Sequence, residues 1–467
     1  MLTLLRASGI RSSSYLCRSI LKATFSTIPQ RRFYPSQLDH VEDLEEYRPG
    51  GLHPVAVGDT FASGRYQVLH KLGFGGTSTI WLTRDQHPSA RGKLMTLKVM
   101  SAEQSTTPNN VLEMTIPRRL CEILHANGTS VRPNIRVIED SFMQEGPNGS
   151  HLCLVSEFAG PSVHSMLDCP GRVTGSRRLR SDLARNVAKQ VAAVIQLMHS
   201  EGYVHGDLTT SNVLFRVADH VHQWSDDYIY AILGEPDTER MATLDGSPLG
   251  PHAPVEVVAP IDNASLSSSA FLKEDVIVSD FGQSFAMDCL PEDYEPATVV
   301  HYASPEARFE SRISLASDIW ALACTIFEIR AGFPLFESFL GDEAEVLKQM
   351  VQMLGKLPGP WWTAFDEHQL WFESNGEPKP LHVQKGAGVS LPAIRSSIRG
   401  VLQNIGEQDK LGDVRQGAMF ERAGTRLKED EIQMLGDLLE RMLRYRAEDR
   451  VTIQDVVCHP WFCMAES

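Results

Sequence analysis

Apolar and polar positions follow two different rhythms along this chain. From Arg65 to Met100 the rhythm is short. Tyr66-Gln67-Val68-Leu69, Thr79-Ile80-Trp81-Leu82 and Leu94-Met95-Thr96-Leu97-Lys98-Val99-Met100 predict three strands, separated by a glycine-rich turn and a second loop. Ile135-Arg136-Val137-Ile138 and Leu152-Cys153-Leu154-Val155 predict two more. Between these groups, Val111, Leu112, Ile116, Leu120 and Ile123-Leu124 fall on one side of a helix over 109–125, which Pro117 should kink or restart. After Glu157-Phe158-Ala159-Gly160-Pro161 the rhythm lengthens. Leu183, Val187, Val191, Val194, Ile195 and Met198 predict a helix over 180–200, and others follow at 316–331, 343–354 and 431–443. The expected class is α+β, with a β-rich first part and an α-rich second part.

Three segments stand outside this pattern. Residues 39–65 are polar and turn-rich and predict an extended lead-in. Residues 216–273 interrupt the β-like runs Val213-Leu214-Phe215 and Val276-Ile277-Val278-Ser279. Five prolines between Pro236 and Pro260 mark an insert, with one short helix near Tyr228 to Leu233. Residues 1–38 hold Arg6, Arg11, Arg18, Lys22, Arg31 and Arg32 and no acidic residue. That composition fits a mitochondrial transit peptide or a disordered basic tail. The first would place the protein in the mitochondrion; otherwise cytoplasm and nucleus are expected.

Composition narrows the partners. Of 467 residues 42% are hydrophobic, enough for a substantial core, and the formal net charge of -15 argues against direct nucleic-acid binding. An acidic surface suits a basic peptide. The eight cysteines are scattered without a C-x-x-C pair, which speaks for a reducing compartment rather than a disulfide frame or zinc site. No apolar run reaches bilayer-spanning length.

The candidate chemistry is phosphotransfer. Leu72-Gly73-Phe74-Gly75-Gly76-Thr77-Ser78-Thr79-Ile80 joins two strands, and its glycines let backbone approach phosphate oxygens. Lys98, on the following strand, can grip phosphates as a point charge. Its ammonium needs a carboxylate, for which Glu113 is the candidate and Glu122 the alternative further along. In Val204-His205-Gly206-Asp207-Leu208-Thr209-Thr210-Ser211-Asn212, Asp207 can accept a hydroxyl proton and Asn212 can hold a metal ion. Asp280-Phe281-Gly282 supplies a second oxygen ligand of the kind Mg²⁺ prefers.

In this order, with Ser304-Pro305-Glu306, Asp318-Ile319-Trp320 and Arg450, these pieces resemble the eukaryotic protein kinase family over about residues 66–462. Tyr47-Arg48-Pro49-Gly50-Gly51-Leu52-His53-Pro54-Val55, Gly64-Arg65-Tyr66 and Ser78-Thr79-Ile80-Trp81-Leu82 resemble the SR-protein kinases in particular, whose spacer falls where the 216–273 insert lies. The resemblance implies a two-lobed fold, with an N-lobe over 66–158 and a C-lobe over 159–462. It implies a monomeric serine/threonine kinase using ATP and Mg²⁺ on Arg/Ser-rich proteins. Asp207, Lys98 and Asn212 would be catalytic. ATP would be held by Leu72, Gly73, Phe74, Gly75, Gly76, Thr77, Ser78, Thr79, Ile80, Lys98, Glu113, Glu157 and Ala159, and the metal by Asn212 and Asp280. It also implies that Glu306 pairs with Arg450 and that Asp318 braces the catalytic loop.

Four positions depart from the common kinase pattern. Gly206 replaces the Arg that binds an activation-loop phosphate, as in the SR-protein kinases. Ser78 replaces the third glycine, also as in that family. Thr209 replaces the Lys that steadies the transferring phosphoryl group, so another cation must substitute or turnover is slow. Ala303 stands where this branch places Arg. A pseudokinase scaffold and a small-molecule kinase of the aminoglycoside or choline type are the alternatives.

Overall fold

The computed structural model describes residues 31–464, apart from 91, 106–111, 127, 129–132, 169–176, 290–293, 339–340, 408 and 410–416. Most of the basic leader and residues 109–111 of the expected helix thus lie outside the described residues.

Short-period segments build one antiparallel sheet: β1 (Thr60–Phe61), β2 (Tyr66–Gly75), β3 (Ser78–Asp85), β4 (Leu94–Met100), β5 (Ile138–Gly146) and β6 (Gly149–Glu157), in the order β1-β2-β3-β4-β6-β5. Alternation along β4 sorts its side chains. Met95, Leu97 and Val99 enter an apolar cluster with Val68, Trp81 and Val155, which leaves Thr96 and Lys98 on the opposite, cleft-facing side. Helix α1 (Leu112–Ala126) runs unbroken through Pro117, contrary to the expected restart. Pro117 is the sixth residue of α1 and forgoes the hydrogen bond to the carbonyl of Glu113, while the packing of Ile116 and Leu120 on the core keeps the helix continuous. The strand expected at 135–138 is also corrected. Ile135 makes one isolated parallel bridge to Val278, and β5 begins only at Ile138.

Beyond Glu157 the chain is mainly helical. Helices α2 (Val163–Leu167) and α3 (Ser181–Ser200) precede a short strand, β7 (Tyr203–Val204). All six apolar positions that predicted α3 are buried. Strand β8 (Val213–Val217) follows, then α4 (Asp226–Leu233), β9 (Thr238–Arg240), β10 (Glu256–Val258), β11 (Leu272–Val278) and β12 (Phe285–Ala286). Helices α5 (Pro305–Glu310), α6 (Leu315–Ala331) and α7 (Glu343–Leu354) complete the region that frames the site, and the helix Glu429–Met442 packs on α6. Nearly every residue of α6 is buried, so it is the central post of this half.

The insert is more structured than its composition suggested. Its helix, α4, begins at Asp226, and β9 and β10 form a hairpin. Met241 and Val257 pack with Phe33, Leu44, Tyr47 and Leu52, so the lead-in is part of a small apolar core rather than an extended tether. The fully buried Lys71 of β2 ties both to the sheet. Its ammonium pairs with Glu42 and donates to the Val258 carbonyl at 3.0 Å, while Ile261 N donates to the Lys71 carbonyl at 2.9 Å.

Candidate active site

Two ladders bring distant residues together. β8 and β11 run antiparallel with Val213 opposite Val278, so Asn212, just before one strand, meets Ser279 and Asp280, just after the other. Ser279 N donates to the Asn212 carbonyl at 2.8 Å. Across the cleft, Lys98 sits between Ile80 and Leu154 in the sheet. Its Nζ lies 2.6 Å from Glu113 Oε2 and 3.9 Å from Asp280 Oδ1, which selects Glu113 over Glu122. Burial disfavours the charged ammonium, but Glu113 and Asp280 outweigh it and hold Lys98 above the ordinary lysine range.

Asp207 is fixed by its own loop. Asn212 Nδ2 donates to its carbonyl at 2.8 Å and to Oδ2 at 3.2 Å, while Oδ1 is buried and has no hydrogen-bond partner among the described residues. Burial, then the nearby Asp280 charge, raise its pKa to about 6, against the lowering effect of Asn212. Below the loop, Asp318 of α6 accepts His205 N at 2.8 Å, Gly206 N at 3.1 Å and His199 Nε2 at 3.0 Å. Asp280 adopts a left-handed φ of 61°, a costly backbone state for a non-glycine residue and a usual mark of a functional turn.

Gly206 has a local reason. Its φ is 79°, and a Cβ there would lie 2.5 Å from the Gln283 carbonyl oxygen and 2.8 Å from the Tyr294 hydroxyl. An arginine cannot enter. Instead Thr298 Oγ1 donates to the Gly206 carbonyl at 2.6 Å, Ser284 Oγ to that of His205 at 2.9 Å, and Tyr294 to that of Gln283 at 3.2 Å. Thr209 is buried, and among the described residues no lysine or arginine pairs with Asp207. At Ala303, which lacks the branch's arginine, Arg308 reaches back from α5 to the carbonyls of Val300 and Ala303 and to Glu343.

The cleft itself has two parts. A cavity of about 290 Å³ is lined by Leu72, Gly73, Phe74, Ile80, Phe158, Ala159 and Leu214, and a second of about 140 Å³ by Lys98, Glu113, Asn212, Ser279 and Asp280. Ile80, Thr96 and Arg136 border both. Gly75, Gly76, Thr77, Ser78 and Thr79 do not line either part, and neither does Glu157, whose carboxylate faces Arg216 at 3.4 Å and His222 at 3.3 Å. Among the lining residues that the sequence did not single out are Arg136, Ser156, and Ile261 and Leu266 from the insert. Arg136 carried a signal, as a charge inside an otherwise apolar run; the insert residues carried none.

The available oxygens suit a hard cation. Asp280 and the Asn212 side chain offer oxygen donors beside a lysine, the kind of ligands that Mg²⁺ bound to phosphates takes. Among the described residues no helix is long and apolar enough to cross a membrane.

Residues 66–226 and 266–462 match the family model described as protein kinase domain, leaving out only part of the insert. A serine/threonine-protein kinase SRPK of Physarum polycephalum is 25% identical over 432 residues, covering 90% of this chain and 91% of its own. Protein kinase dsk1 of Schizosaccharomyces pombe is 23% identical, covering 74% of this chain and 76% of its own. SRSF protein kinase 3 of Homo sapiens is 32% identical over 181 residues, covering 38% of this chain and 30% of its own.

Proposed function

This chain belongs to the protein kinase family, as an SRPK-like serine/threonine kinase, and we propose that its cleft moves the γ-phosphoryl group of Mg-ATP to hydroxyls of Arg/Ser-rich proteins. One observation carries this assignment: the Lys98–Glu113 pair at 2.6 Å shares the smaller part of the cleft with Asn212 and Asp280, beside the larger part that Ala159 lines. Lys98 holds the α- and β-phosphates, with its orientation set by Glu113. Asn212 and Asp280 would hold Mg²⁺, which would supply positive charge to offset that of the phosphates. Asp207 orients the substrate hydroxyl and takes its proton.

Substrate class follows from two supports. The relatives include a kinase named for SRSF proteins, and the net charge of -15 suits a basic partner. The described residues between Asp280 and Glu306 need no phosphate to sit correctly, because Ser284, Tyr294 and Thr298 make neutral hydrogen bonds there and Gly206 leaves no room for a phosphate-binding arginine.

The test uses labelled ATP, Mg²⁺ and an Arg/Ser-repeat peptide, with unphosphorylated protein. Transfer to peptide serine is expected. Stabilisation by Mg-ATP without transfer would favour a scaffold, the reading that Thr209 supports. The pH profile adds a sharper check. Asp207 must be ionised to accept a proton, and its folded pKa is raised to about 6, so kcat/KM should climb with pH through that value and level off above it. A profile already flat across this range would remove Asp207 from the role of base.

A further inference from the structure

Arg136 is the charged cleft residue that no motif accounts for. Its backbone N donates to the Val278 carbonyl at 2.8 Å, which ties it to the strand that delivers Asp280. Its side chain borders both parts of the cavity. Nε donates to Ser156 Oγ at 2.8 Å. The small Ser156 side chain leaves room for the guanidinium and orients it. Among the described residues the terminal nitrogens form no hydrogen bond or ion pair, so they are left to the cavity that Arg136 lines.

The charges around it are unbalanced. Glu113, Asp207 and Asp280 stand on the phosphate side, against Lys98 and Arg136. Lys98 is already engaged by Glu113. Burial works against the Arg136 charge and pushes its pKa down, although Glu113, Asp280 and Glu157 attract it. A guanidinium stays protonated in such a place, and a half-buried cation whose terminal nitrogens make no hydrogen bond among the described residues gains from an incoming anion. A neutral base cannot supply that partner. A polyphosphate can, and the planar fork of a guanidinium matches two phosphate oxygens.

We infer that Arg136 is a nucleotide-binding residue whose terminal nitrogens donate to the nucleotide phosphates, adding to Lys98 the second positive charge that Thr209 does not supply. This rests on a nucleotide occupying the cleft. Binding of ADP with Mg²⁺, and of adenosine, would be measured by calorimetry on the full chain and on Arg136→Met. The variant should weaken ADP roughly ten- to hundredfold and leave adenosine unchanged. Arg136→Lys should recover part of the ADP affinity. If the Met variant fails to fold, Arg136→Gln, which can keep the bond to Ser156, carries the same expectation. Equal ADP affinity in variant and wild type overturns the inference, as does an equal loss for adenosine, which would mean that Arg136 only shapes the pocket. A wild-type chain that binds neither ligand would instead overturn the nucleotide assignment itself.

Discussion

Asp207→Ala is expected to lower kcat by roughly two to four orders of magnitude while leaving the KM for ATP nearly unchanged. The asymmetry comes from where Asp207 sits. It is held by Asn212 and lines neither part of the nucleotide cavity, so removing its carboxylate takes away the proton acceptor and not a nucleotide contact. Its free Oδ1 and raised pKa are those of a group poised to receive a proton near neutral pH rather than one committed to a salt bridge. Steady-state rates on an Arg/Ser peptide, with thermal stabilisation by Mg-ATP measured in parallel, decide the matter. A variant within about tenfold of wild type would show that Asp207 does not act as the base.

The largest expected stability effect lies far from the cleft. Arg450→Met should cost about 3–5 kcal/mol, because it strands a buried carboxylate. Arg450 binds Glu306 through two parallel contacts, at 2.7 and 2.6 Å, and also donates to the carbonyls of Ala316, Tyr445 and Arg444. Ser317 Oγ adds a third hydrogen bond to Glu306, at 2.7 Å. Burial alone would raise the Glu306 pKa, yet Arg450 and Ser317 hold it below the usual carboxylate range. Replacing both partners by apolar residues should therefore be milder than replacing one, since no lone charge remains. Urea denaturation of the single and double variants tests this directly. A double variant as unstable as Arg450→Met would mean that the carbonyl contacts of Arg450, and not the ion pair, dominate.

Much of the site was legible in the chain because its parts are short and local. A glycine run between two strands, a lysine in an alternating strand and Asp-Phe-Gly after an apolar run each announce a backbone shape from a handful of neighbours. The helix over 181–200 was equally plain, since its six apolar positions repeat at helical spacing and all are buried. Pro117 does not make the helix restart, because one proline in its second turn removes a single hydrogen bond and packing of Ile116 and Leu120 keeps the helix together. Ile135 misled for the opposite reason. Its run, 135–138, has strand-like composition, but only the two ends, Ile135 and Ile138, find strand partners.

The insert marks the boundary most clearly. Its polar, proline-rich composition predicted an insert with one short helix, and composition cannot reveal which partner will cover a few scattered apolar residues. Only the folded chain brings Met241 and Val257 against Tyr47 and Leu52, or Ile261 and Leu266 to the cleft wall. From sequence alone came the order of the motifs, the class of fold and the residue types needed for phosphotransfer, because these depend on neighbours within a few positions. Tertiary structure decided that Glu113 and not Glu122 meets Lys98, that Gly206 is required by its φ and by Gln283, and that Arg136 enters the cleft. Those are matters of distance between segments that lie far apart in the chain, and the packing of the two ladders and the sheet settles them.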